Sequence, residues 1–151
     1  GIYLQSYGEH YLDSALLLLP RFGYIRYDDP KMVRTVGAIE EELQEQGLLL
    51  RYNSPDGVEG EEGFFLPCTF WLVECLAEQG QLDQALSYYQ RALNCANDLG
   101  LFSEEYDLKT STMLGNFPQA LTQVSQITAK VALDQCRQRQ ADSVESAVKE
   151  A

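Results

Sequence analysis

The sequence predicts an all-α fold in which helices alternate between an inner and an outer layer. Three observations carry that reading. "LPCTFWLVECLAEQG" (Leu66–Gly80) is apolar almost all round, with no charge before Glu74. "QLDQALSYYQRALNCAND" (Gln81–Asp98) carries a single apolar stripe instead: Leu82, Ala85, Leu86, Tyr89, Ala92 and Leu93. Between them Gly80 marks a tight turn. A helix that is apolar on all sides is buried on all sides, whereas a striped one lies at the surface. The two therefore form an αα-hairpin of one inner and one outer helix.

The remaining elements follow in chain order. "LDSALLLLP" (Leu12–Pro20) is short and nearly all apolar, with Asp13 or Ser14 as its cap. "DDPKMVRTVGAIEEELQEQG" (Asp28–Gly47) reads as one helix, with Asp29 as N-cap, Pro30 in the first turn and Gly47 as the stop. Met32 or Val33, Val36, Ile39 and Leu43 line its apolar face, and Glu40, Glu41, Gln44 and Glu45 face water. Residues 48–65 carry Pro55, Gly57, Gly60 and Gly63 and read as a long loop that starts with a short strand. A second long connector spans 97–121. It leads into "PQALTQVSQITAKVALDQC", another inner helix. The polar tail from residue 136 to 151 has helical propensity but little to bury, and is expected to fray. Stacked hairpins of this kind build an open solenoid or a closed two-layer toroid. Both long connectors run from an outer helix to the next inner one. They are expected at the same end of the stack, where a pocket is built.

Bulk properties exclude several functions. The 151 residues suffice for one domain with a core. A hydrophobic content of 45% with 11% aromatics argues against disorder. A net charge of −12, with no Lys/Arg cluster, argues against nucleic acid as a partner. The longest aliphatic run, Ala15–Leu19, is stopped by Pro20 and is far too short to span a membrane. Cys68, Cys75, Cys95 and Cys136 form no CxxC pair and His10 is the only histidine, so no metal or cofactor is expected. The cysteines read as small core residues, which suggests a reducing compartment. With no signal peptide in view, a cytoplasmic location is expected. The chain opens on Gly1 rather than Met and reads as part of something longer. Trp71 reads as core and His10 as a packing residue, while Tyr24 and Tyr27 could reach a cleft mouth or cover the core.

The two connectors hold the polar groups worth weighing. The first supplies Arg51, Tyr52, Asp56, Glu59, Glu61 and Glu62; the second supplies Glu104, Glu105, Tyr106 and Asp107 beside the apolar Leu101 and Phe102. Carboxylates and an arginine hydrogen-bond sugar hydroxyls, and rings cover the apolar faces of pyranoses. Carboxylate pairs across a cleft also hydrolyse glycosidic bonds. On composition alone such glutamates are most often simply solvated.

"GLFSEEYD" followed by "GNFPQAL", and preceded by "LLRY" and "EGFFLPCTFWLVECLAEQG", resembles the C-terminal part of the bacterial-type family 15 glycoside hydrolases: glucoamylases, glucodextranases and some trehalases. "SYGEHYLDSALLLLP" and "DDPKMVRTVGAIEEEL" are similar to that family as well, so the resemblance covers about residues 3–130. It implies an (α/α)6 barrel, of which residues 1–135 would supply about five helices in inner and outer hairpins. It implies that Glu104, after the Ser of the "SE-[EQ]-Y" motif, is the general base of an inverting α-glucosidase, with Glu105 in a supporting role. Arg51, Glu62 and Tyr106 would bind an α-glucoside substrate. The flank of Leu101 and Phe102 would hold the base loop in place. Leu121, Thr122 and Gln123 stand where the family often carries a Ser-His pair.

The family's general acid lies in an earlier segment, and neither Glu9 nor Glu40–Glu42 has its context. The resemblance thus implies half of a two-carboxyl site, inactive alone, with the remainder of its own barrel as partner. The main reading is a glucan 1,4-α-glucosidase, with trehalase as the alternative. A third reading is a helical-repeat binding module, because "LAEQGQLDQALSYYQRAL" resembles a tetratricopeptide unit. That unit should recur about every 34 residues, and it does not.

Overall fold

The computed structural model describes residues 1–54 and 63–150. A 3-10 helix, Ser14–Leu18, is capped by Asp13, whose side chain accepts the Ala15 N–H. Helix α1 (Pro30–Leu43) starts as expected, with the Asp29 side chain accepting the Lys31 N–H. Met32, Val36, Ile39 and Leu43 are buried, and Val33 is exposed. The helix stops at Leu43 rather than Gly47. Gln44–Glu45 (β1) turns back on Leu48–Leu49 (β2) as an antiparallel hairpin. Its two turn residues, Gln46 and Gly47, both have positive φ, 48° and 81°. That pair of left-handed residues is what a two-residue turn needs to match strand twist, and it ends the helix. Glu40 also departs from a solvated position. It is half-buried and accepts hydrogen bonds from Tyr88 Oη at 2.6 Å and Gln84 Nε2 at 2.5 Å.

After β3 (Phe64–Phe65) come α2 (Leu66–Glu78) and α3 (Leu82–Leu93). Twelve consecutive residues of α2, Leu66 to Ala77, are buried, whereas α3 buries Ala85, Tyr88, Tyr89 and Ala92. This is the inner/outer contrast expected from the apolar patterns. Gly80, at φ 80°, closes α2. Its N–H bonds Ala77 O at 3.1 Å and the next N–H, Gln81, bonds Leu76 O at 2.9 Å, a Schellman termination that reverses the chain into α3.

Strands β4 (Glu105–Asp107) and β5 (Thr112–Leu114) precede α4 (Ala120–Glu150). The segment from 97 to 121 is therefore not all irregular loop, since it holds this hairpin. Helix α4 runs parallel to α2. Trp71 Nε1 donates to Ser125 Oγ at 3.0 Å near one end, and Arg139 pairs with Glu78 at 3.3 Å near the other. The 3-10 helix lies along the same layer, with Cys75 Sγ donating to Leu17 O. Three inner elements thus point one way, and α1 and α3, joined by Glu40, form the outer layer. The helix α4 is continuous, but residues 137–149 are exposed. All four cysteines are free and buried, and Trp71 is core. Among the described residues no helix is long and apolar enough to cross a membrane.

Candidate active site

The two long connectors meet in a small sheet of order β3-β4-β5, with Phe64 opposite Tyr106 and Phe65 opposite Glu105. They emerge at one end, where α2 and α4 begin. The Leu66 N–H, opening α2, donates to Glu104 O at 3.1 Å. Phe102 is buried and meets Phe70 of α2 edge to face. Buried Thr122, in the first turn of α4, donates to Ser103 O at 2.9 Å, and Ser103 Oγ donates to Glu105 O at 2.6 Å. Residues 102–105 are thereby fixed by two inner helices. Thr122, within the Leu121-Thr122-Gln123 run, supplies one of these contacts.

Glu104 is half-buried against the bend segment that leads into α4. Its N–H donates to Asn116 O at 2.9 Å. Its Oε2 accepts the Asn116 N–H at 3.1 Å and Asn116 Nδ2 at 2.7 Å. Beside it Gly115, at φ 70°, brings its backbone so close that an added Cβ would lie 2.9 Å from Oε2 and 3.0 Å from Glu104 Cβ. Both carboxylate bonds fall on one oxygen, and among the described residues Oε1 accepts none.

Glu105 points at the other connector. Its Oε2 accepts the Gly63 N–H at 3.2 Å. A Cβ on Gly63 would lie 3.0 Å from both Glu105 Cβ and Oε2, so glycine permits the approach. Burial pushes the Glu105 carboxyl above its ordinary range; the Gly63 N–H opposes this and the Glu104 charge adds to it. Asp107 is the last residue of β4, at the start of the turn into β5. It accepts the Lys109 N–H at 2.8 Å and Thr110 Oγ1 at 2.6 Å, and these bonds, the threonine's first, hold it below the usual carboxylate range.

Tyr106 alternates to the face of β4 opposite Glu105 and packs against the core. Arg51 is exposed, with its guanidinium carbon 5.8 Å from the Phe65 ring centre and 5.9 Å from that of Tyr52. Since Phe65 pairs with Glu105, Arg51 stands at the same end as the carboxylates. Glu62, like Asp56, Glu59 and Glu61, lies outside the described residues. Tyr27 is at the far end, where it donates to Glu74 at 2.5 Å and its carbonyl accepts Gln79 Nε2. His10 and Tyr24 are exposed. Among the described residues no group of three or more His, Cys, Asp or Glu side chains could hold a metal ion. The residues that sequence reasoning passed over are Gly115 and Asn116. Their signal was the Gly-Asn step of "GNFPQAL", read only as part of a motif.

Residues 1–131 match the family model for glycosyl hydrolases family 15. The chain belongs to glycosyl hydrolase family 15. A trehalase of Mycolicibacterium smegmatis is 44% identical over 134 residues, 87% of this chain and 20% of that protein. A trehalase of Thermoplasma volcanium is 40% identical over 145 residues, 95% of this chain and 23% of that protein. The family 15 segment therefore spans about a fifth of the length of these curated relatives. A solved glycosidase superposes with a TM-score of 0.72 at 18% identity, covering 88% of this chain and 38% of its own. Another solved glycosidase, in complex with glucose, gives a TM-score of 0.68 at 18% identity, over 89% and 38%. The inner and outer helices are thus a segment of the (α/α)6 barrel of family 15, and not units of a tetratricopeptide array.

Proposed function

We propose that this family 15 segment supplies the general-base half of an inverting α-glucosidase whose substrate is trehalose. The observation that carries the base assignment is the state of Glu104. One carboxylate oxygen is tethered by Asn116, and the other is open to take a proton from water. That water would attack the anomeric carbon from the face opposite the leaving sugar. A general acid about 6.5–9.5 Å away would protonate the leaving oxygen. The acid comes from outside these residues, and the segment alone hydrolyses nothing. Glu105, clasping Gly63, holds the two connectors together; Arg51 and Glu62 would meet sugar hydroxyls, and Tyr106, packed against the core, would support the strand beneath them rather than touch the sugar. The remainder of the barrel covers the exposed apolar stripe of α4, Leu121, Val124, Ile127 and Val131.

Trehalose is favoured over an α-1,4-glucan by the names of the relatives at 40–44% identity, which reverses the order of preference drawn from motifs alone. The test is a full-length polypeptide assayed on trehalose and on maltose. Glu104→Gln should lower kcat by about 10²–10⁴-fold without loss of folding, because an amide of the same shape cannot accept the proton. Glu105→Gln should cost much less. Wild-type rates in Glu104→Gln would refute the base assignment, and faster hydrolysis of maltose than of trehalose would refute the substrate.

A further inference from the structure

We infer that Asn116 is the positioning residue of the general base, fixing which oxygen of Glu104 meets the nucleophilic water. The inference rests on Glu104 being that base. Three hydrogen bonds join the two residues: Glu104 N–H to Asn116 O at 2.9 Å, Asn116 N–H to Oε2 at 3.1 Å, and Asn116 Nδ2 to Oε2 at 2.7 Å. The backbone bond sets the height of Glu104 against the bend that follows β5. The two donors on Oε2 then set the rotation of the carboxylate. Gly115 closes the third side, since any side chain there would occupy the volume of Oε2. A carboxylate gripped on one oxygen from the main chain, a side chain and a bare glycine has little freedom left at its last torsion. Its second oxygen is aimed in one direction.

Glu105 on β4 is the charged neighbour, and its carboxyl interacts electrostatically with that of Glu104. An asparagine suits this position because it donates to Oε2 without carrying a charge. Aspartate has the same shape but would add a third carboxylate, and alanine leaves only the main-chain donor.

The experiment measures kcat and KM separately on the full-length enzyme, with trehalose as substrate and Glu104→Gln run in parallel. Asn116→Ala should lower kcat roughly ten- to a hundredfold with KM nearly unchanged, as small misplacement of a reacting group does. Asn116→Asp, the isosteric change that replaces the side-chain donor by an acceptor, should lose at least as much kcat. Circular dichroism should match wild type for both variants. A wild-type kcat in Asn116→Asp overturns the inference, as does a loss expressed wholly in KM. If Glu104→Gln is inactive while Asn116→Asp keeps the wild-type kcat, Asn116 alone loses its role. If Glu104→Gln is fully active, the base assignment falls and takes this inference with it.

Discussion

Phe102 meets Phe70 edge to face, with ring centres 5.5 Å apart and planes at 78°. Phe70 is fully buried in α2 and Phe102 is 2% exposed, so the loop that carries Glu104 is plugged into the core two residues before the carboxylate. Phe102→Ala should therefore affect stability and activity together. The lost burial and residual cavity should cost about 3–5 kcal/mol. The loop should lose its registration, and kcat should fall more than the fraction of folded protein does. Denaturant melts beside rates normalised to folded enzyme would separate these effects. A variant with normal kcat per folded molecule would mean that the sheet alone positions Glu104.

Glu105 yields a prediction about pH. Burial raises its carboxyl above the ordinary glutamate value. In the folded protein the group therefore holds its proton at pH values where the unfolded chain has released it. Stability should fall as pH rises through the window between the unfolded value and the raised folded one. Glu105→Gln removes that dependence, so the variant should be at least as stable as wild type at neutral pH and show a flatter Tm profile across the acid range. A variant less stable than wild type at neutral pH, with an unchanged slope, would show that the Gly63 contact outweighs the cost of burial.

Leu121, Val124, Ile127 and Val131 of α4 are 45%, 54%, 58% and 49% exposed, and their spacing places them on one face. A contiguous exposed apolar face is an association surface. The isolated 151-residue segment should self-associate, and Val124→Lys with Ile127→Glu should shift it toward monomer in sedimentation velocity. A monomeric wild-type segment with a single cooperative melt would contradict this.

What the sequence made legible is what long periodic patterns encode. The all-round apolarity of Leu66–Ala77, the stripe of α3 and the turn at Gly80 specify an inner–outer hairpin, because burial decides both patterns. Of the strands, only β2 was legible, in the leucine run that opens the first connector. β1 to β5 are each two or three residues long, too short for a period-two signal. The early end of α1 depends on Gln46 adopting a left-handed conformation, which glutamine does not advertise. At the site, a Glu-Glu pair in a polar connector looks solvated. Glu104 stood out only through family resemblance. Asn116 is twelve positions away on the far side of a hairpin, and only the folded hairpin sets it against the carboxylate.

The last prediction concerns the end of the inner layer away from the site. Glu74 is a charged residue within an otherwise apolar helix, and it is 9% exposed. Arg21 forms a two-point ion pair with it, Nε donating to Oε1 at 3.2 Å and the second guanidinium nitrogen to Oε2. That nitrogen also donates to Thr128 Oγ1 of α4 at 2.9 Å, and Tyr27 Oη donates to Glu74 Oε1 at 2.5 Å. Burial, followed by the bond to Glu74, pushes the Tyr27 hydroxyl above its usual range, so it remains a donor. The cluster ties the segment after the 3-10 helix to α2 and α4. Arg21→Met would leave a buried carboxylate without its cation, and breaking such a pair costs about 3–5 kcal/mol. Replacing both partners, Arg21→Met with Glu74→Leu, should cost less than Arg21→Met alone, because no uncompensated charge remains. Chemical unfolding of full-length protein measures both variants, and a single variant within about 1 kcal/mol of wild type would show that Tyr27 and Thr128 suffice to hold Glu74.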